Sequence, residues 1–293
     1  MTDGLVIVDK PASWTSHDVV GRMRRLAQTR RVGHAGTLDP MATGVLVLGV
    51  NRATRLLHHL VLTDKEYTAT IRLGQATVTD DAEGDIVSSS SAAAVDEAAV
   101  RAAAAALTGE IEQVPSAVSA IKVDGRRAYK LVREGAAVEL AARPVTVSRF
   151  EVTACRRPSA ELLDADVQVE CSSGTYVRAL ARDVGAALGV GGHLTALRRT
   201  RVGPFTIEQA RSLEALAGLP DPVTLPLVDA VRAAMPIREV DGEQARALSY
   251  GQALDPAGIV GTYGAVAPDG TVAALLLEDG ERARPVLVFT PAG

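Results

Sequence analysis

The chain has 293 residues, of which 47% are hydrophobic, 23% are charged and only 3% are aromatic. This length and apolar content exclude a disordered chain and suit one large domain, or a large domain plus a small one. The two cysteines form no CxxC pair, which argues against a disulfide framework or a zinc site. No basic signal region opens the sequence and no apolar run is long enough to span a membrane, so we expect a cytoplasmic protein.

The net charge of −4 hides an uneven distribution of charge along the chain. Basic residues cluster at 22–31, at 122–133 and in "RRTR" at 198–201, whereas "TDDAEGD" at 79–85 is acidic. Local basic faces on an acidic chain are compatible with binding to a polyanion. Each cluster could equally be an ordinary solvated face.

The first part of the chain predicts alternating short strands and helices. "GLVIVDKP" is typical of a strand stopped by Pro11, Ser16 can cap the helix that follows, and "VLVLGV" indicates a buried strand. "KEYTATIRLG" (65–74) alternates apolar and polar residues, as a half-buried strand does. "VDEAAVRAAAAALTG" (95–109) predicts an alanine-rich helix ended by Gly109.

The middle of the chain contains one segment without clear periodicity. Residues 113–144 are polar and basic, and we interpret them as an insertion or a mobile loop. "ADVQVEC" (165–171) predicts another half-buried strand, which leads into a helix capped by Thr175 or a nearby serine. Arg178 falls in the first turn of that helix, about 100° away from its apolar stripe.

The last part of the chain predicts a small, mostly β domain. The proline-rich "LPDPVTLP" (219–226) suggests a linker, and "TIEQ" (206–209) before it has the pattern of a capping box. A short helix from Asp241 is followed by strand-like runs joined by "PDG" (268–270) and "EDG" (278–280). Asp-Gly turns of this kind indicate β-hairpins.

A single carboxylate, Asp39, stands among small residues in "GHAGTLDP" (33–40). Asp before Pro40 is the pattern of a helix N-cap with proline at the first helical position. Alternatively, the glycines let the backbone approach a bulky ligand and bring the carboxylate against it. Motifs of P-loop enzymes, dinucleotide-binding proteins, serine hydrolases and zinc proteases are absent from the sequence, so a mechanism without cofactor or metal is the simplest enzymatic interpretation.

Five separated segments together resemble the TruB family of bacterial tRNA pseudouridine-55 synthases. They are "VDKPASWTSHDVV" (8–20), "GHAGTLDPMATGVLVLGVNRATR" (33–55), "KEYTATIRLGQATVTDDAEGDIV" (65–87), "PSAVSAIKVDGRRAYKLVREG" (115–135) and "CSSGTYVRALARDVGAALGVGGHLTALRRTRVGPF" (171–205). The resemblance covers residues 4 to about 228 in the expected order. Ser13 departs from the pattern, because the family usually has glycine there.

The resemblance implies an α+β fold with two domains. Residues 1–230 would form a catalytic domain built on a mixed, mostly antiparallel sheet, with 113–144 as a thumb insertion that grips RNA. Residues 231–293 would form a small, mostly β, PUA-like RNA-binding domain. The partner implied is the T-stem-loop of tRNA, with no cofactor, metal, membrane or obligate protein partner, and we take a monomer as the expected state.

The resemblance also implies an activity and a set of site residues. The enzyme would flip uridine-55 out of the T-loop, break its N1–C1′ bond and rejoin the base through C5. The implied catalytic residues are Asp39, Tyr67 and Arg178, with Arg178 paired to Asp39. The implied substrate-binding residues are His34, Lys10, Tyr176, Leu197 and Gly36, and Asp81 matches a family position to which we assign no role.

Two other functions are compatible with parts of this pattern. A non-catalytic tRNA-binding or folding helper on the same scaffold would share the basic faces, but it would not need Asp39, Tyr67 and Arg178 together. An unrelated enzyme with an aspartate nucleophile, such as a phosphatase, would carry a DxD pattern directly after a strand, and "TLDPMATG" lacks it.

Overall fold

The computed structural model describes residues 2–61, 63–117 and 140–292, together with the backbone of residues 122–123 and 126–127. In chain order the strands are β1 (Gly4–Lys10), β2 (Val32–Ala35), β3 (Thr43–Val50), β4 (Lys65–Leu73), β5 (Gln75–Thr77), β6 (Ile86–Ser89), β7 (Gly109–Gln113), β8 (Lys122–Val123), β9 (Arg126–Arg127), β10 (Arg143–Ser159), β11 (Leu162–Cys171), β12 (Gly192–Val202), β13 (Phe205–Thr206), β14 (Leu225–Pro226), β15 (Ile237–Glu239), β16 (Tyr263–Val266), β17 (Val272–Glu278) and β18 (Ala283–Val288).

The α-helices of the described residues are α1 (Ser16–Leu26), α2 (Leu57–Val61), α3 (Glu97–Ala106), α4 (Val177–Ala187), α5 (Leu213–Ala217), α6 (Leu227–Ala234) and α7 (Gly242–Ser249). Two short 3₁₀ segments cover Asn51–Arg55 and Ile207–Gln209. Among the described residues no helix combines the length and the apolar character needed to cross a membrane.

A ten-stranded sheet organises most of the chain, in the order β14-β1-β3-β12-β4-β11-β10-β7, with β2 added beside β3 and β13 beside β12. Its neighbours are antiparallel except for the parallel pair of β3 and β12. The predicted α+β class with a mixed, mostly antiparallel sheet is therefore confirmed.

Strand β3 runs through the centre of the molecule and is buried on both faces. Leu46 and Leu48 belong to the core beneath α1, whereas Val45 and Val47 face a second core on the opposite side of the sheet. A strand covered on both faces has no polar face to present to water, which explains why "VLVLGV" is apolar without interruption.

The four-stranded sheet β15-β16-β17-β18 packs directly against the large sheet. Its Leu275, together with Phe289 beyond β18, shares the second core with Leu5 and Ile7 of β1. The predicted linker at 219–226 is wrong at its end, because Leu225–Pro226 forms β14 and pairs with β1. Both predicted Asp-Gly hairpins are present, as β16–β17 and β17–β18.

Other local predictions are corrected by the structure. Thr15 caps α1 in place of Ser16, and Tyr176 precedes α4 without any side-chain cap. The capping box at 206–209 opens only a 3₁₀ turn. The predicted insertion at 113–144 falls mainly outside the described residues, and its two ends belong to β7 and β10.

Candidate active site

The loop that carries Asp39 leaves the sheet where two strands separate. Strand β3 pairs with β2 along Val47–Val50, but along the same edge it pairs with β12 only at Thr43 and Gly44. Residues 36–42 connect β2 to β3 at this opening. No helix follows Asp39, and the chain enters β3 within four residues, so the interpretation of Asp39 as a helix cap is wrong.

Buried polar side chains from the N-terminal region hold this loop. The Ser16 hydroxyl accepts a hydrogen bond from the Leu38 amide (2.9 Å) and donates one to the Leu38 carbonyl (3.0 Å). The Lys10 ammonium donates to the Pro40 carbonyl (3.1 Å), and the Ser13 amide donates to the same oxygen (2.9 Å). Ser13 adopts a φ of 66°, a conformation that favours glycine.

Arg199 of β12 fills the opening between the strands. Its side chain is buried and donates to the carbonyls of Val45 (2.7 Å), Gly36 (3.1 Å) and Thr37 (3.4 Å). Gly44 lies against its backbone, where a Cβ would be 2.2 Å from the Arg199 carbonyl oxygen. A single buried guanidinium thus satisfies carbonyls that the interrupted strand ladder leaves without partners.

Asp39 forms an ion pair with Arg178 of α4. The Arg178 Nε lies 3.0 Å from Asp39 Oδ2 and 3.5 Å from Asp81 Oδ2, and its Nη1 donates to the Thr79 carbonyl (2.8 Å). The Arg178 side chain is 5% exposed, whereas that of Asp39 is 36% exposed. The arginine is therefore an internal clamp, and its carboxylate partner keeps a face open to a ligand.

A cavity of about 290 Å³ opens beside this ion pair, close to the lower end of the usual range for ligand pockets. Tyr67 and Leu197 contribute largely buried walls. Tyr176 also lines the cavity, and the guanidinium carbon of Arg143 lies 5.9 Å from the centre of the Tyr176 ring. Burial raises the pKa of Tyr67, so its phenol is neutral at physiological pH.

The structure brings six of the eight predicted site residues to this cavity: Gly36, Asp39, Tyr67, Tyr176, Arg178 and Leu197. Lys10 does not line it, since its ammonium is fully buried and donates to the carbonyls of Pro11, Trp14 and Pro40. His34 also lies outside the lining, with its ring edge-on to His17 at 5.8 Å. Burial lowers the pKa of His34, which favours the neutral imidazole.

Gly36 lines the cavity in a backbone conformation that favours glycine. Its φ is +86°, and a Cβ there would meet only ordinary contacts, at 3.7 Å from Arg199 and Lys65. The backbone conformation therefore favours glycine at this position, and the close approach of a ligand to Gly36 stays a prediction.

Sequence reasoning missed two cavity residues, Arg199 and Lys65, and it named Asp81 without assigning it a role. Arg199 and Lys65 line the cavity, and Asp81 is the second carboxylate on Arg178. Burial lowers the pKa of Lys65 to about 8, and its ammonium donates to the carbonyls of Val61 and Thr63. The alternation of apolar and polar residues in β4 could have identified Lys65, because Lys65 lies two residues before Tyr67 and hence on the same inward face of the strand.

Comparison with known proteins relates this geometry to one family. The profile of the TruB family pseudouridylate synthase N-terminal domain matches residues 24–177. Two C-terminal profiles follow, that of the tRNA pseudouridylate synthase B C-terminal domain at 178–220 and that of tRNA pseudouridine synthase II, C terminal, at 235–290.

Whole-chain relatives and solved structures agree with these profiles. The protein named tRNA pseudouridine synthase B from Arthrobacter sp. (strain FB24) is 63% identical over 100% of this chain and 98% of its own length. Its namesake from Nocardia farcinica (strain IFM 10152) is 63% identical over 99% of this chain and 94% of its own length. A chain from the structure of a Cbf5-Nop10-Gar1 complex is 26% identical with a TM-score of 0.73, covering 98% of this chain and 85% of that one. A chain from an H/ACA RNP bound to a substrate RNA containing 2′-deoxyuridine is 26% identical with a TM-score of 0.71, over the same shares of the two chains. The chain therefore belongs to the TruB family of pseudouridylate synthases.

Proposed function

We propose that this chain is a tRNA pseudouridine synthase, an isomerase that converts uridine-55 in the T-loop of tRNA to pseudouridine. The observation that carries the proposal is the Asp39–Arg178 ion pair, which lies at a nucleoside-sized opening with one face of the carboxylate accessible. Relatives that are 63% identical over nearly the whole chain bear the name tRNA pseudouridine synthase B, which supports the same activity.

The proposed reaction breaks the N1–C1′ bond of uridine, rotates the base and forms a C5–C1′ bond. The C5 proton leaves, N1 gains a proton, and no oxidation state changes, so the step balances without a co-reactant. Asp39 acts as the essential carboxylate, either as a nucleophile towards the sugar or by adding to the base. Both routes need the Asp39 carboxylate held in a fixed orientation, which is the role we assign to Arg178.

The remaining cavity residues are assigned to the target base. Tyr67, neutral because of its burial, lies in the wall against which the base would rest and is the group proposed to move the C5 proton. Leu197 supplies an apolar surface and Tyr176 an aromatic one. Lys10 supports the Asp39 loop through the Pro40 carbonyl. His34 would pack against the RNA loop at the place that the flipped base leaves. Extruding that base costs a few kcal/mol, which phosphate contacts must offset.

The wider assignments follow from the same proposal. The division into a catalytic domain (1–230) and a PUA-like RNA-binding domain (231–293) is proposed for the two sheets, with the T-stem-loop of tRNA as the partner of both. A monomeric, cytoplasmic enzyme without an obligate protein partner is the proposed working state. The alternative of a non-catalytic tRNA helper is not favoured, because it would not require a partly exposed carboxylate clamped by a buried arginine.

Release of tritium from tRNA labelled at C5 of uridine tests the proposed function. The wild-type protein should release tritium without any added cofactor, and Asp39→Asn should release none. Asp9→Asn is the matched control, because Asp9 also pairs with an arginine (Arg198, 2.7 Å) at similar exposure but does not line the cavity. No release by the wild type would refute the enzymatic proposal, and release by Asp39→Asn at the wild-type rate would refute the role of Asp39.

A further inference from the structure

The acidic loop, residues 77–85, sets the position of the catalytic arginine. Of the three Arg178 contacts described above, two come from this loop: the Asp81 carboxylate and the Thr79 carbonyl. Any displacement of the acidic loop therefore displaces the Arg178 guanidinium, and with it the partner of Asp39. The contacts that hold this loop in place therefore affect the reaction.

Internal hydrogen bonds shape the acidic loop but do not attach it to the rest of the protein. The Thr77 hydroxyl donates to the Asp81 carbonyl (2.7 Å), and the Glu83 amide donates to Asp81 Oδ1 (3.0 Å). Attachment to the large sheet comes from the Leu194 amide, which donates to the Asp80 carbonyl (3.0 Å). Asp80 itself adopts a φ of 60°, and its carboxylate faces Arg182 of α4.

Arg182 reaches this loop from α4. It follows Arg178 by four residues, so both arginines lie on one face of the helix. Its Nη1 lies 3.6 Å from Asp80 Oδ2, its Nη2 donates to the Val114 carbonyl (2.7 Å), and its Nε donates to Asp183 (2.8 Å). The Asp80 side chain is 13% exposed and that of Arg182 is 30% exposed. Arg182 therefore joins α4, the acidic loop and the residue that follows β7.

We propose that Arg182 and Asp80 are positioning residues for pseudouridine formation. Together they hold the acidic loop against α4 one helical turn beyond Arg178, so that Asp81 and the Thr79 carbonyl keep the Arg178 guanidinium on Asp39. This inference rests on the proposed function. The competing explanation is that Arg182, being partly exposed and cationic, contacts an RNA phosphate.

Two single variants and their combination separate these explanations. Arg182→Ala removes the cation, and Asp80→Asn removes the charge while keeping a residue type that tolerates a positive φ. Arg101→Ala is the matched control, since Arg101 on α3 also pairs with a carboxylate (Glu97) and donates to the Val152 carbonyl of β10, and neither of these partners belongs to the acidic loop.

We expect each single variant to lower the tritium-release rate at saturating tRNA about tenfold, because displacement of a catalytic group by about 1 Å costs up to about 100-fold. The double variant should be no slower than the slower single, since both changes remove one coupling. Arg101→Ala should keep the wild-type rate. Binding of tRNA, measured in an Asp39→Asn background, should keep its affinity and its salt dependence.

Weaker binding with an unchanged saturated rate, and a salt slope reduced by about one, would instead identify Arg182 as a phosphate contact and overturn the proposal. Unchanged rates, or a double variant slowed by the product of the two singles, would also overturn it. Hydrogen exchange of the 77–85 amides gives a readout independent of RNA: it should be faster in Arg182→Ala than in Arg101→Ala, and equal exchange would refute the anchoring role. If the wild type itself releases no tritium, the proposed function fails while hydrogen exchange still tests the anchor.

Discussion

Replacing Gly44 by alanine is a direct test of how the molecule holds Asp39. Gly44 is the second residue of β3 and lies where this strand meets β12, with a φ of +97°. A Cβ at this position would lie 2.2 Å from the Arg199 carbonyl oxygen and 2.9 Å from the Arg199 nitrogen. These are backbone atoms of a central strand, so the contact can be relieved only by moving β3 and β12 apart.

The expected loss of stability combines two contributions. Forcing a residue with a side chain into a positive φ costs about 1–3 kcal/mol, and overpacking a well-ordered interior typically costs a further 1–3 kcal/mol. The free energy of unfolding of Gly44→Ala should therefore fall by about 2–6 kcal/mol. Gly109→Ala provides the matched control, because Gly109 has a φ of +104° with no atom within 4 Å of the added Cβ. Gly109→Ala should lose only the stability that the positive φ costs, about 1–3 kcal/mol.

Urea unfolding followed by circular dichroism measures both variants under the same conditions. The activity of Gly44→Ala should fall as well, because a displaced Arg199 backbone pulls its guanidinium away from the carbonyls of Val45, Gly36 and Thr37 at the root of the Asp39 loop. Equal destabilisation of Gly44→Ala and Gly109→Ala, or wild-type tritium release by Gly44→Ala, would refute this account of the strand opening.

Three further predictions concern the groups around Arg178. Tyr67→Phe should slow single-turnover tritium release at least about 100-fold with an unchanged Kd for tRNA, because the phenol proposed to move the C5 proton is lost; a wild-type rate would contradict this. Asp81→Asn should lower the free energy of unfolding in urea by about 1–3 kcal/mol, since the buried Arg178 keeps Asp39 but loses its second carboxylate, and unchanged stability would contradict the pairing. Lys65 titrates near pH 8 when folded and near 10.5 when unfolded, so above pH 8 the unfolded chain binds more protons and the penalty for charging this lysine disappears. The stability of the wild type relative to Lys65→Met should therefore rise by up to about 3 kcal/mol between pH 7.5 and pH 10.5 in urea titrations, and a flat difference would contradict the burial of the charge.

Strands with an uninterrupted pattern were the easiest elements to predict. β4 and β11 alternate regularly and pair with each other without a register shift, and both were recognised from the sequence. β10 was missed although Val145, Val147, Phe150 and Val152 are buried, because register shifts beyond Val147 and Val152 break the period of two. A β-bulge moves the following side chains to the other face, which removes the signal that sequence reasoning depends on.

Local patterns determined the family, the class of fold and the three residues to which we assign the chemistry, because each of these is carried by a contiguous motif: Asp39, Tyr67 and Arg178 each stand in one. What surrounds them was decided by tertiary structure alone. In the sequence, Arg199 is one of four residues in the basic "RRTR" cluster. In the structure it is buried and donates a hydrogen bond to the carbonyl of Val45, 154 positions away. The physical reason is that β3 pairs with β12 only through its first two residues, Thr43 and Gly44, and the gap beyond them leaves carbonyls that need a donor from a distant part of the chain. No pattern within either segment specifies where that ladder opens.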